Sequence, residues 1–171
     1  MAELSPQERL QPALLDRLTD DEPDKKVEGQ EKRVLTKAQL RQAVLRDLAW
    51  LFNTTRLESE QDLANAPLAQ KSTLNYGLPA LAGETAASLD PTDLERAVRE
   101  AILAYEPRIL PSSLRVRAIV TETQLEQYNV ISVEIEWFLW AQPVPLELLL
   151  RTDVDLETGR VEITDLARTR A

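Results

Sequence analysis

The chain contains no cysteine and no histidine in 171 residues, and these two absences exclude most of the common catalytic chemistries. Without cysteine there is no disulfide framework, no thiolate metal site and no cysteine nucleophile, which accords with a reducing compartment. Without histidine the usual general base, the usual zinc ligand and every Ser-His or Cys-His arrangement are gone, leaving carboxylates, lysine, tyrosine and hydroxyls. Glycine is scarce too. Its four positions, 29, 77, 83 and 159, are too scattered for a phosphate-cradling loop, and no carboxylate spacing resembles a calcium loop. Nothing in this composition calls for a cofactor. No apolar run approaches the roughly 20 residues of a membrane helix; the densest, Leu146 to Leu150, has Glu147 inside it. The opening Met1-Ala2-Glu3-Leu4-Ser5-Pro6 lacks both the basic start and the apolar core of a signal peptide, so the expectation is a soluble, cytosolic protein without membrane insertion. A basic surplus is missing as well: 29 acidic residues stand against 20 basic ones, a net charge of −9. Nucleic acid is therefore not an expected partner, because its phosphates are held by clustered lysine and arginine.

What is present reads as one domain with an attached arm, at a length that buries a real core. Leu10, Leu14, Leu15 and Leu18 fall at helical spacing after Ser5-Pro6, with Pro12 interrupting, which predicts a short amphipathic helix. A charged stretch from Thr19 to Glu31 with a proline and a glycine follows, and its composition is that of a linker. Residues 1–31 hold nine acids and four bases, so much of the excess charge sits in the arm. It is either a solvated tail or an apolar stripe on a tether that docks elsewhere. Residues 32–171 form the domain proper. Thr36-Lys37-Ala38-Gln39 has the form of a capping box, and Leu40, Val44, Leu48 and Leu51 follow at helical spacing, which predicts a helix over 37–52. Residues 56–65 read as irregular or marginally helical, with Pro67 as a breaker, and Leu74 to Pro79 as an ordered turn in which Gly77 takes a positive φ.

Asp90-Pro91-Thr92-Asp93 is a strong helix start. Leu94, Ala97, Val98, Ala101, Ile102 and Tyr105 then share one face, with Glu95 and Arg99, and Arg96 and Glu100, as expected i,i+4 pairs on the wet side. Past Pro111 the period changes to two. Leu114, Val116, Ala118 and Val120, then Ile131 to Leu139, then Leu146 to Leu156, read as strands, and Glu157-Thr158-Gly159-Arg160 turns the chain into Val161 and Ile163. Pro143 and Pro145 mark a bend or an edge. The pattern predicts an α+β fold: two main helices packed on one face of a mainly antiparallel sheet of about four strands, with the N-terminal amphipathic arm outside it.

Two features carry the candidate site. At Tyr105-Glu106-Pro107-Arg108 proline stops the helix and pushes Glu106 toward extended geometry, which places a carboxylate and a guanidinium on one side of a stiff bend. The same residues also read as an ordinary helix stop with a cation near its carbonyl end. Trp137, Phe138 and Trp140 cluster on one strand, Trp137 pointing opposite to the other two, so the sheet is either covered on both sides or meets a partner with part of this surface. A carboxylate pair is the only enzymatic arrangement left open. Glu106 beside Glu134 or Glu136 has the makings of a glycosidase, although a solvated sheet face accounts for the strand glutamates more simply.

Taken together, the ordered stretches Leu10-Gln11-Pro12-Ala13-Leu14-Leu15-Asp16-Arg17-Leu18, Leu45-Arg46-Asp47-Leu48-Ala49-Trp50-Leu51-Phe52-Asn53, Ser72-Thr73-Leu74-Asn75-Tyr76-Gly77-Leu78-Pro79 and Tyr105-Glu106-Pro107-Arg108-Ile109 resemble TssE. That family supplies the type VI secretion baseplate subunit related to a wedge protein of contractile-tailed phages. The resemblance implies a structural protein without turnover, placed in the cytoplasm in a complex docked at the inner membrane. Its partners would be the wedge subunits TssF and TssG, the spike-hub region, and the sheath subunits TssB and TssC, which begin to assemble on its sheet. Glu106, Pro107 and Arg108 would form a docking clamp, with Trp137, Trp140, Leu14 and Leu18 as further partner-binding residues. Some relatives have been labelled lysozyme-like, which makes a peptidoglycan glycosidase the rival expectation.

Overall fold

The computed structural model describes residues 12–19, 24, 35–84, 89–119, 129–139 and 145–166. The capping box closes as expected: the Thr36 hydroxyl accepts from the Gln39 N–H at 3.2 Å while the Gln39 carboxamide oxygen accepts from the Thr36 N–H at 2.9 Å. With two end donors satisfied reciprocally, the helix starts at once and runs Lys37–Phe52 (α2). Asn53 ends it, and Leu40, Val44, Leu48 and Leu51 form its buried face. The second long helix is Pro91–Tyr105 (α4), capped by the Asp90 carboxylate on the Thr92 N–H at 2.8 Å.

The sheet is a meander of four antiparallel strands, β1 Arg115–Ile119, β2 Val130–Leu139, β3 Leu146–Asp155 and β4 Val161–Asp165, in spatial order 1-2-3-4. Alternation decides its two faces. Val133, Ile135 and Trp137 on β2, opposite Thr152, Leu150 and Leu148 on β3, are wholly or almost wholly buried and share one core with the apolar faces of α2 and α4. Each apolar side chain among them contributes about 1.5–3 kcal/mol by leaving water, and together they outweigh local propensity. The two helices therefore cover one face only, and the opposite face carries Arg117, Glu134 and Arg151 in register across three strands. The β3–β4 turn is closed by Asp155, whose Oδ1 accepts from the Glu157 and Thr158 N–H groups at 2.8 and 3.2 Å, with Gly159 at φ +73°. No helix among the described residues is long and apolar enough to cross a membrane.

Three expectations change. Among the described residues the N-terminal helix is Leu14–Leu18 (α1), and Pro12 lies ahead of it rather than within it; Leu10 and most of the linker lie outside the described residues. Pro67 does not break structure but starts a short helix, Pro67–Gln70 (α3), from its first position, where the missing N–H costs nothing. The i,i+4 pairs on α4 are replaced: Arg96 reaches Asp93 at 2.6 Å, while Glu95 turns to the Ala118 N–H on β1 and Arg99 to the Leu114 carbonyl just before that strand.

Candidate docking site

At the end of α4 the Glu106 N–H still bonds to the Ile102 carbonyl at 2.9 Å, and Pro107 forbids any further turn. The Glu106 side chain then folds inward, leaving the residue 4% exposed. A carboxylate so placed needs partners of its own chain. Its Oε1 accepts from the Arg108 backbone N–H at 3.1 Å and from Arg108 Nε at 2.6 Å, and its Oε2 accepts from Arg108 Nη2 at 2.5 Å. The same Nη2 reaches Asp47 Oδ2 on α2 at 2.5 Å. Burial works against the arginine charge, but the hydrogen bonds and charges of Glu106, then of Asp47, outweigh it and hold the Arg108 pKa above its ordinary value.

Asp47 is shared between two arginines. Its Oδ1 accepts from Arg46 Nε and Nη2 at 3.0 and 2.8 Å, and Arg46 Nη1 reaches Asp16 Oδ1 on α1 at 2.6 Å. The charges thus alternate from Asp16 through Arg46, Asp47 and Arg108 to Glu106. The guanidinium of Arg46 also lies 5.2 Å from the Trp50 ring centre, a favourable cation–π position. Tyr76 joins the network by donating to the Asp47 carbonyl at 3.3 Å and packs edge-on against Tyr105 at 5.1 Å. Burial, then the negative charges of Asp47 and Glu106, raise the Tyr76 pKa, so its hydroxyl stays a donor. The Tyr105 hydroxyl lies 2.8 Å from the Asn75 carbonyl and 3.0 Å from that of Ser72. Asn75, buried, accepts from the Glu58 N–H at 2.9 Å and donates to the Gln70 carbonyl at 3.1 Å.

Gly77 fixes the strand-like contact behind this loop. Its φ is +126°, and a Cβ there would sit 2.2 Å from the Thr54 carbonyl oxygen. Only glycine lets Leu78 bond to Thr54 and Arg56 to Leu78, both at 2.8 Å.

The sequence-derived residues fare differently. Glu106 and Arg108 are brought together, but the carboxylate faces inward and the arginine fork grips Glu106 and Asp47 of its own chain, leaving Nη1 as a buried donor without a partner among the described residues. Pro107 is exposed at the tip of the bend. Trp137 is 0% exposed, at the centre of the core, with its indole N–H unpartnered among the described residues. It has no surface with which to touch another chain and acts through the packing of the sheet. Trp140 lies outside the described residues. Leu14 and Leu18 are 73% and 72% exposed on α1, which buries no residue and is held by the Asp16–Arg46 pair. The residues missed were Asp16, Arg46, Asp47 and Tyr76. Their signal was an Arg-Asp pair beside a buried helix face, indistinguishable in one dimension from a solvated one.

Glu106 does not pair with Glu134 or Glu136. Those two alternate with the buried Ile135 and Trp137 and so face away from the helix layer in which Glu106 sits, which separates the supposed acid and nucleophile by the thickness of the sheet. The arrangement is suited to holding segments together, not to turnover.

Residues 38–144 match the family model of baseplate wedge protein gp25. Neither curated proteins nor solved structures return a match to the chain.

Proposed function

Since this chain belongs to the gp25 family of baseplate wedge proteins, structural and non-enzymatic components of contractile injection systems, we propose that it is the TssE-type subunit of a type VI secretion baseplate. The observation that carries this reading is convergence. The four stretches on which the resemblance rests are scattered over the sequence, yet one residue or more of each enters a single network: Asp16, the Arg46-Asp47 pair, Tyr76, and the Glu106-Pro107-Arg108 bend. Neighbouring it, Leu14, Leu18, Trp50 and Leu74 keep large apolar surfaces exposed, more than a solvated brace needs.

In this reading the network is a frame and its rim is the contact. Wedge subunits of the TssF and TssG type dock on Leu14, Leu18 and Pro107, and Arg108, its fork held by Glu106 and Asp47, keeps that corner rigid beneath them. Glu106 fixes the fork for that purpose, and Trp137 keeps the sheet in shape. Residues 1–31 serve as the arm and 32–171 as the wedge domain. The spike-hub region lies close by, and the TssB/TssC sheath begins on a border of the sheet by main-chain pairing. The assembly sits at the cytoplasmic side of the inner membrane.

The test is co-purification of the tagged full-length chain from cells carrying the whole system. Wild type is expected to bring down wedge subunits, and Leu14→Asp with Leu18→Asp to lose them while keeping the wild-type melting temperature, because neither side chain is buried. Retention of the wedge by that double variant would remove the arm from the interface. Failure of the wild-type chain to recover any type VI wedge subunit would end the TssE assignment.

A further inference from the structure

Helix α1 sits on the domain with its polar side inward. Of its five residues only Asp16 is not exposed, its side chain being 11% accessible, while Leu14, Leu15 and Leu18 all stand in solvent. A helix folded for its own burial does the reverse. At about 100° per residue, Leu14 and Leu18, each two positions from Asp16, lie about 160° round the axis from it and about 40° from one another. Fixing Asp16 to the domain therefore turns both leucines outward on one ridge.

The anchoring carboxylate does two things at once. Asp16 Oδ1 accepts from Arg46 Nη1 at 2.6 Å, and Asp16 Oδ2 accepts from the Ala13 N–H at 3.2 Å, closing the first turn from its third position. At the other end Thr19 donates to the Leu15 carbonyl through its N–H at 3.1 Å and its hydroxyl at 3.0 Å. Five residues are too few to stay helical in water unaided, and α1 buries none of them. Among the described residues the Asp16–Arg46 pair is the one polar tie between α1 and the rest of the chain. The helix and its attachment thus depend on the same side chain.

Arg46 is arranged to receive it. Its Nε and Nη2 are held by Asp47 at 3.0 and 2.8 Å, and its guanidinium lies 5.2 Å from the Trp50 ring centre. Nη1 is the guanidinium nitrogen left for the arm, and it is fixed by groups of α2 alone, so the arm docks on a post that does not have to be ordered.

We infer that Asp16 and Arg46 are the positioning residues of the arm: their ion pair folds α1 and sets its roll, so that Leu14 and Leu18 meet a wedge subunit as one pre-formed apolar ridge. This rests on the reading above that the wedge docks on those leucines. Pre-ordering the ridge removes a conformational cost from binding. Because the Arg46 side chain is 34% exposed, salt weakens the pair, and the arm becomes a latch whose setting follows ionic strength.

The chain has no cysteine, so Arg17→Cys on the exposed side of α1 gives a single site for a nitroxide in the full-length protein. Its spectrum separates an ordered, docked arm from a released one. Asp16→Asn, which keeps the shape and removes the charge, is expected to raise the released fraction about threefold or more. Asp16→Glu, which keeps the charge and suits the third helical position, is expected to restore docking. Raising salt to about 1 M, where the screening length is about 3 Å, should release the arm in the labelled parent and change little in Asp16→Asn. A spectrum indifferent to both the substitution and the salt would overturn the latch. In co-purification, Asp16→Asn is expected to lower wedge recovery about threefold or more although both leucines remain, and Asp16→Glu to recover it. A released arm with undiminished wedge recovery would overturn the positioning role and leave the docking reading standing. Recovery that survives both Asp16→Asn and the Leu14→Asp, Leu18→Asp double variant would remove the docking reading and this proposal with it.

Discussion

Arg108→Ala is the most direct perturbation of the frame. It removes two side-chain hydrogen bonds to Glu106 and one to Asp47, and it strands a carboxylate whose side chain is 3% exposed. Asp47 keeps Arg46, and Glu106 keeps the backbone N–H of residue 108. Breaking a buried pair by deleting one partner costs about 3–5 kcal/mol. The Arg108 side chain is 24% exposed, so water entering the vacated space screens part of this, and a loss just below that range, about 2–3 kcal/mol, is expected. A domain stable by about 5–15 kcal/mol survives that loss. In urea, with a slope of about 1–3 kcal/mol per molar, the midpoint should fall by about 0.7–3 M at unchanged slope, read from tryptophan emission, to which the buried Trp137 contributes. The decisive comparison is the double variant with Glu106→Gln. If a stranded charge is the cause, removing that charge makes the double variant more stable than Arg108→Ala alone. A midpoint within about 0.2 M of wild type, or a double variant weaker than the single, would refute the account.

Gly77→Ala meets the Thr54 carbonyl head-on in a backbone conformation hostile to side chains, and a loss of at least about 3 kcal/mol is expected by calorimetry; a change under about 1 kcal/mol would show that the loop relaxes freely. The Asp155 carboxylate titrates below the ordinary aspartate value, held there by the Thr158 hydroxyl, then by the Glu157 and Thr158 N–H groups. With a depressed folded pKa, its contribution is present above the unfolded pKa and is lost as pH falls through the folded one. Amide exchange at Glu157 and Thr158 should therefore rise, relative to other turns, only in acid below the ordinary aspartate range, and Asp155→Asn should abolish that dependence; a transition near neutrality would contradict it.

Much of the fold was legible in one dimension. The stripe after Thr36 and the face after Asp90 marked both long helices to within a residue, because a capping box and an Asp-Pro start each determine where the first turn begins. The alternation after Pro111 marked the strands for the same local reason. Less legible were places where a short-range rule met a longer reach. Glu95 and Arg99 satisfied the spacing for a helical pair, but the backbone of β1 and of Leu114 just before it offered each a partner that α4 did not. Pro67 had the look of a breaker, yet at a first helical position it lacks nothing the helix requires.

The sequence by itself determined the order and type of the main elements, the buried faces of helices and strands, and the poverty of catalytic groups, since these depend on periodicity and composition alone. Which charges meet was decided in three dimensions. Arg108 finds Asp47 across 61 residues, and Arg46 finds Asp16 across 30. The packing of α4 against α2 brings the first pair within hydrogen-bond range, and the approach of α1 to α2 brings the second. Burial then turns the Glu106 carboxylate toward its own arginine, because an ion taken out of water must be paired where it lies.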